Sequence, residues 1–342
     1  MASPTPQLEN RLADWHGRLL QAKEAISRIV VGQERLLEDL LTAIFARGHI
    51  LLKGEVGVGK TLLLRALARL LGGPFARIEG SVDLLPADLL YTPYLDEEGK
   101  PRVAPGPLLQ GEGALAVFFF NEINRARPQV HALLLRVMAE RSVSAFDRLY
   151  RFPHLLVFAD RNRLEREETF ELPAALRDRF AMELEVSPPE TFEELRTIFF
   201  EPRFHDLDLL LEELPSGLLP YQEIGRLAPV IQRTIRTSKV LERYAVALWR
   251  ATTDPPSVQV DGVQLRELLL SGISPRGMSH LLRAARVRAW LLGRDFVTAE
   301  DLYHLFPKAA GHRLVLAPQF ELEREFWIPK VCQAILDQTP FS

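Results

Sequence analysis

Gly54-Glu55-Val56-Gly57-Val58-Gly59-Lys60-Thr61 has the spacing G-x-x-x-x-G-K-[ST], in which glycines let consecutive backbone N–H groups turn inward around an anion. Ile50-Leu51-Leu52 before it reads as a short buried strand, and Thr61 to Leu71 after it reads as a helix whose apolar positions recur at helical spacing. A helix N-terminus facing the loop adds the positive end of its dipole. The arrangement predicts a nucleoside-triphosphate site in which Lys60 reaches the β- and γ-phosphates and the Thr61 hydroxyl is placed for Mg²⁺. A structural glycine turn is the plain alternative, and the strand and helix on either side argue against it.

The rest of the chain bounds the setting. At 342 residues, with 47% hydrophobic and 25% charged residues, it has the composition of a globular protein of two domains. A net charge of −3 with both signs interspersed gives no global basic field, so no dedicated nucleic-acid surface is expected. Cys332 is the single cysteine, which excludes an internal disulfide or a multi-cysteine zinc site. Ile328 and Ile335 near it mark a buried thiol. The longest apolar run, Ala114 to Phe120, is far short of the ~20 residues that span a bilayer. A cytoplasmic chain with no direct membrane insertion is expected.

Along the chain, residues 1–30 read as a Pro-containing tail and an amphipathic helix carrying Leu12, Trp15, Leu19, Ala22 and Ile26. Residues 31–187 alternate helical patterns with apolar strands at Ile50 to Leu52, Ala76 to Ile78, Val117 to Phe120, Leu155 to Ala159 and Met182 to Val186. That alternation predicts a mainly parallel α/β sheet flanked by helices. Ser187-Pro188-Pro189-Glu190 breaks the pattern. Residues 188–342 have helical periodicity almost throughout, including Ile224 to Thr237, Lys239 to Ala251 and Pro275 to Leu292, and predict a smaller all-α domain.

A second anchor is Ala116-Val117-Phe118-Phe119-Phe120-Asn121-Glu122, an apolar run ending in two polar residues. In a parallel sheet its end falls beside the phosphate loop, where Asn121 would face the Mg²⁺ hydration shell and Glu122 could deprotonate the attacking water. A buried strand followed by an Asn cap is the alternative reading.

Together with the following Ile123-Asn124-Arg125-Ala126, this segment resembles the D-E-I-N-R-A signature of the MoxR family of AAA+ ATPases, and the resemblance extends over nearly the whole chain. Val31-Gly32-Gln33 is similar to the family's V-G-Q element beside the adenine, and Asp83-Leu84-Leu85-Pro86-Ala87-Asp88 to its D-L-L-P-x-D segment. Asn162 stands where the family has the sensor 1 Asn of A-T-Q-N-P. Leu172-Pro173 and Asp178-Arg179-Phe180 resemble L-P-E-A-Q-L-D-R-F, and Ser274-Pro275-Arg276 resembles the sensor 2 motif.

The resemblance implies a P-loop AAA+ module with a helical lid, using ATP and Mg²⁺. The nucleotide would touch Val31, Gly32, Gln33, Glu55, Val56, Gly57, Val58, Gly59, Lys60, Thr61, Leu62 and Arg276. Thr61 and Asn121 would serve the metal, and Glu122, Asn162, Arg179 and Arg276 would serve catalysis. Arg179 would be a finger offered to a neighbouring subunit. Arg177 is a competing candidate, and an ion pair with Asp178 is the plain alternative for Arg179. Asn162 could instead cap a loop, and Arg276 could be an exposed arginine.

Leu84 to Leu109, with its turn at Asp96-Glu97-Glu98-Gly99-Lys100, and Arg141 to Arg151 resemble the family's two projecting hairpins. The implied function is an ATPase that works as a homo-oligomeric ring, by analogy a hexamer. Such a ring would remodel, mature or activate a client protein or metalloenzyme, commonly beside a partner with a von Willebrand factor A domain.

Two features depart from the pattern. Asn121 replaces the family's aspartate and so keeps an oxygen acceptor without its charge, and Asp160 to Glu168 is unusually charged. A rival reading is therefore an ATP-binding scaffold or switch with marginal hydrolysis. A small-molecule kinase or GTPase is a weaker third, since the chain has no N-K-x-D guanine-reading motif.

Overall fold

The computed structural model describes residues 6–55, 57–161 and 169–341; Val56 and Asn162 lie outside them. Five parallel strands form the central sheet: β1 (His49–Lys53), β2 (Phe75–Glu79), β3 (Val117–Asn121), β4 (Leu156–Arg161) and β5 (Phe180–Glu185), in the order β2-β3-β4-β1-β5. Each expected strand is present with its ends moved by a residue or two: β4 starts at Leu156 and runs on to Arg161, and β5 starts at Phe180 and stops before Val186.

The strands read as unbroken apolar runs because both faces of the sheet are covered. Side chains alternate between two cores. Phe119 joins Ile50, Leu52 and Phe158 on one face, while Phe118 and Phe120 join Leu51, Val157 and Ala159 on the other.

Helices α1 (Pro6–Ser27), α2 (Glu34–Phe45) and α3 (Lys60–Leu71) supply the first core, and α4 (Pro128–Glu140) supplies the second through Val130, Leu134 and Val137. The expected apolar stripe of α1 is buried, and Trp15 meets Phe45 edge to face at 6.0 Å. α5 (Ala174–Arg177) is a single turn that leads into β5.

Beyond β5 the chain is helical, as α6 (Phe192–Phe200), α7 (Leu207–Glu212), α8 (Tyr221–Thr234), α9 (Lys239–Thr253), α10 (Pro275–Leu291), α11 (Ala299–Ala310) and α12 (Arg324–Gln338), joined by shorter turns. Two small ladders interrupt the all-helical expectation, Gln259–Val260 with Val263–Gln264 and Leu269–Ser271 with Val315–Leu316. Such two- or three-residue pairings leave no periodicity to read.

The first helices after β5 fold back onto the α/β layer. Arg65 pairs with Asp208 at 2.6 Å, and the Leu219 N–H donates to the Leu70 carbonyl at 2.9 Å. Both projecting hairpins are present, Tyr91–Leu95 with Pro101–Pro105 and Ser142–Ala145 with Arg148–Arg151. Among the described residues, no helix is long and apolar enough to cross a membrane.

Candidate nucleotide-binding site

β1 delivers the chain to the loop at Gly54, where a side chain has no room: an added Cβ would lie 2.5 Å from the Val186 carbonyl oxygen. Gly59, at φ +85°, then turns the backbone into α3 in a conformation that L residues avoid. The first helical residue is Lys60. Its side chain is 10% exposed, and its ammonium donates to the Gly54 carbonyl at 3.0 Å and lies 2.7 Å from Oδ2 of Asp160, whose side chain is 1% exposed.

Sheet register puts the remaining polar groups beside this pair. Glu79 is paired with Asn121 across β2 and β3, and Phe120 with Ala159 across β3 and β4, so Asn121 and Asp160 follow as neighbours at the same edge. The next residue, Glu122, sits at φ +52°, a strained value for a non-glycine residue. Its N–H donates to Asp160 Oδ1 at 2.5 Å, and its carboxylate accepts from Arg125 Nη1 at 3.1 Å.

These residues form the polar end of a cleft of about 670 Å³. The opposite wall is apolar, with Ile29, Val30 and Val31 on one side and Leu195, Ile198 and Phe199 of α6 on the other. Gln33 ties the two sides together by donating its amide to the Ser187 carbonyl. A polar, cation-bearing end and an apolar slot suit a ligand with phosphates at one end and a flat ring at the other.

Among the described residues, no three His, Cys, Asp or Glu side chains converge as a metal cage. Mg²⁺ does not need one, because it keeps water and binds through phosphates with one or two protein oxygens. The Thr61 hydroxyl, the Asn121 amide and the Asp160 carboxylate, all lining this end, are a donor set of that kind. Among the described residues, Asp160 Oδ2 has an ionic neighbour in Lys60 but no aligned hydrogen-bond donor.

Of the residues expected at the nucleotide, Val31, Gln33, Gly57, Val58, Gly59, Lys60, Thr61, Leu62, Asn121 and Glu122 line the cleft. Gly32 lies between two of them at φ +72°, and Glu55 is an exposed loop residue. Asp160 was not singled out by sequence reading. Its signal, a charge at the end of an apolar strand, acquires meaning only from β4 being the neighbour of both β1 and β3.

Arg276 corrects an expectation, because it does not line this cleft. Its Nη1 donates to Asp178 Oδ2 at 2.8 Å, and Ser274 Oγ donates to Asp178 Oδ1 at 2.7 Å. Asp178 precedes β5, whose first residue Phe180 pairs with His49 at the start of β1. The phosphate loop follows the other end of β1, roughly 16 Å away along a five-residue strand. The start of α10 therefore meets the sheet at the end opposite the phosphate loop, while α6 lines the cleft and Glu325 of α12 pairs with Lys53 at the loop end of β1.

Arg179 is at that same far edge. Asp178 is occupied by Arg276 and Arg313, so the Asp178–Arg179 pair does not form. Among the described residues the Arg179 guanidinium has no hydrogen-bond or ion-pair partner, and its Nε is buried without one. Arg177, only 12% exposed, faces Glu171 at 3.6 Å, and burial lowers its pKa.

Sheet order, phosphate loop and helical lid together define a P-loop ATPase of the AAA type. Residues 49–182 match the ATPase family associated with various cellular activities (AAA), and residues 266–330 match the AAA lid domain. The chain is 53% identical over 331 residues to Protein MoxR of Methylorubrum extorquens, covering 96% of each. It is 33% identical over 344 residues to Chaperone MoxR1 of Mycobacterium tuberculosis, covering 97% of this chain and 85% of that one. A putative ATPase from Cytophaga hutchinsonii superposes with a TM-score of 0.80 at 27% identity, covering 95% and 96%. The chain belongs to the MoxR family of AAA+ ATPases.

Proposed function

We propose that this chain binds ATP with Mg²⁺ in the cleft, hydrolyses it within a homo-oligomeric ring, by analogy a hexamer, and uses the cycle to remodel, mature or activate a client protein or metalloenzyme. The observation that carries the reading is the division of functional groups between two edges of one sheet. Lys60, Thr61, Asn121 and Glu122 gather at one edge, and Arg179 and Arg276 at the other. A group roughly 16 Å from its own pocket can serve catalysis by facing the pocket of a neighbouring copy, which favours a closed ring of identical heterologous contacts.

In this reading Lys60 moves from Asp160 to the β- and γ-phosphates, and the loop N–H groups and the α3 N-terminus hold the remaining phosphate charge. Bound Mg²⁺ would neutralise charge on the β- and γ-oxygens. Glu122 orients a water and takes its proton, for which its carboxylate must leave Arg125. Arg179, and Arg276 beside it, stabilise charge on the neighbour's γ-phosphate, a contribution worth about 10³ to 10⁵ in rate.

Asn162 is proposed to hold the attacking water or a phosphate oxygen through its amide. α6, forming one wall of the cleft, would carry the nucleotide state into the helical region, with residues 31–187 and 188–342 as the two moving parts and 1–30 riding on the first. The mycobacterial relative's name as a chaperone supports the client role. A von Willebrand factor A domain partner and a cytoplasmic setting complete the proposal.

The test is complementation. Lys60→Ala and Arg179→Ala proteins should each be nearly inactive as ATPases, and mixing them should restore turnover at interfaces that combine an intact pocket with an intact arginine. No recovery in a mixture shown to co-assemble, or full activity from a dilute monomer, would defeat the shared-site reading.

A further inference from the structure

We infer that Asp160, and not Asn121, is the carboxylate through which this chain holds the Mg²⁺ hydration shell of its nucleotide. The inference rests on the reading of the cleft as a Mg²⁺–nucleotide site and assigns a metal-facing residue within it.

Three observations carry it. First, the register that pairs Phe120 with Ala159 makes Asn121 and Asp160 neighbours on adjacent strands, about 4.8 Å apart along the hydrogen-bonding direction. Moving the carboxylate one strand over keeps it at the same edge. Second, Asp160 is aimed: the Glu122 N–H holds Oδ1 at 2.5 Å, which leaves Oδ2 turned toward Lys60 at 2.7 Å in the cleft. Third, Asp160 is 1% exposed, Lys60 is its ion-pair partner among the described residues, and a buried carboxylate left without a cationic partner is strongly destabilising.

The third observation gives the assignment its direction. When phosphates draw the Lys60 ammonium away, Asp160 Oδ2 has no aligned donor left among the described residues. The water ligands of Mg²⁺ would supply donors at that point, so that the buried charge changes one cationic partner for another. The neutral Asn121 also makes sense in this arrangement, since a carboxylate at 121 would face a second one across the strand pair. Asn121 keeps the role of an additional acceptor.

The experiment measures the affinity of a fluorescent ATP analogue in EDTA and in saturating Mg²⁺, for wild type, Asp160→Asn, Asn121→Asp and the double variant. Thermal melts check folding. The readout is the gain in affinity on adding Mg²⁺, which is separate from turnover. Losing one charge-assisted contact should cut that gain by about 10- to 100-fold in Asp160→Asn. The double variant, with the carboxylate moved back to 121, should recover most of it.

Asn121→Asp alone should weaken binding in EDTA by crowding two anions and should give no larger Mg²⁺ gain than wild type. If Asp160→Asn does not fold, this single variant still decides: a Mg²⁺ gain well above wild type would make 121 the deficient position and overturn the assignment. So would an unchanged Mg²⁺ gain in Asp160→Asn, or binding tightened equally with and without Mg²⁺, which would make Asp160 only a clamp on Lys60. Failure of the wild type to bind the analogue under either condition would instead sink the nucleotide reading itself, and the assignment with it.

Discussion

Asp178 accepts from Arg276 at 2.8 Å and from Arg313 at 3.0 Å, so one carboxylate fastens the first turn of α10 and the turn that follows α11 beside Arg179. Arg313 is buried and also donates to the backbone carbonyls of Asp178, Phe180 and Ala181. The lid is thereby locked to the sheet edge from which β5 starts.

This arrangement separates the two candidate finger arginines. Arg179→Ala removes a guanidinium that has no hydrogen-bond or ion-pair partner among the described residues, so the melting temperature should barely move while ATPase turnover falls by about 10³-fold or more. Arg177→Ala empties a mostly buried site facing Glu171 and should destabilise by about 1–2 kcal/mol. Measuring melting curves and turnover for both decides the question. A large loss of stability in Arg179→Ala with turnover unchanged would reverse the assignment.

Within the cleft, Lys60→Ala should abolish tight nucleotide binding, because Lys60 is the only cationic side chain of the phosphate loop. Glu122→Gln should bind ATP as the wild type does and turn it over ~10² to 10⁴-fold more slowly. Equilibrium binding and steady-state hydrolysis on the same preparations check both. Wild-type turnover in Glu122→Gln would place the general base elsewhere.

His49 gives a pH dependence. It starts β1, is buried, and accepts the Val157 N–H at 3.0 Å on Nδ1. Burial, followed by repulsion from Arg47, Arg179 and Arg283, pushes its pKa down to about 4 from 6.5. The unfolded chain then binds the extra proton first, so the stability due to neutral His49 is fully present above about pH 6.5 and lost as pH falls toward 4, up to about 3 kcal/mol. His49→Gln, whose amide oxygen can accept the same N–H, should flatten the unfolding free energy against pH across that window by about one proton. An identical slope in the variant would rule His49 out as the source.

Asp301 holds the helical region together. It is 0% exposed and accepts from Arg288 at 2.6 Å, from Arg294 at 2.6 Å and 2.9 Å, and from the Thr298 N–H at 2.9 Å. Burial pushes its pKa up, but the bonds from Arg294, Thr298 and Arg288 outweigh it and hold the carboxyl below its ordinary range. Asp301→Asn leaves two arginines facing a neutral amide and should cost about 3 kcal/mol in chemical denaturation. Nucleotide affinity should stay near that of the wild type, since no cleft residue touches the network. A loss below 1 kcal/mol would mean that the arginines find solvent at little cost.

What the sequence determined by itself was everything written in local spacing. The loop from Gly54 to Thr61, the apolar run from Val117 to Phe120 and the helical stripes of α1 and α10 each follow from glycine geometry or from a period of 2 or 3.6, which a linear string records. Tertiary structure alone decided which strand ends are neighbours and which edge each arginine occupies. Asp160 reads as one charge in a charged stretch until β4 is inserted between β3 and β1, and Arg276 reads as a pocket residue until Asp178 holds it at the other end of the sheet. Strand order and helix docking arise from burying two apolar faces at once, a condition on contacts between distant residues that no short window of sequence contains.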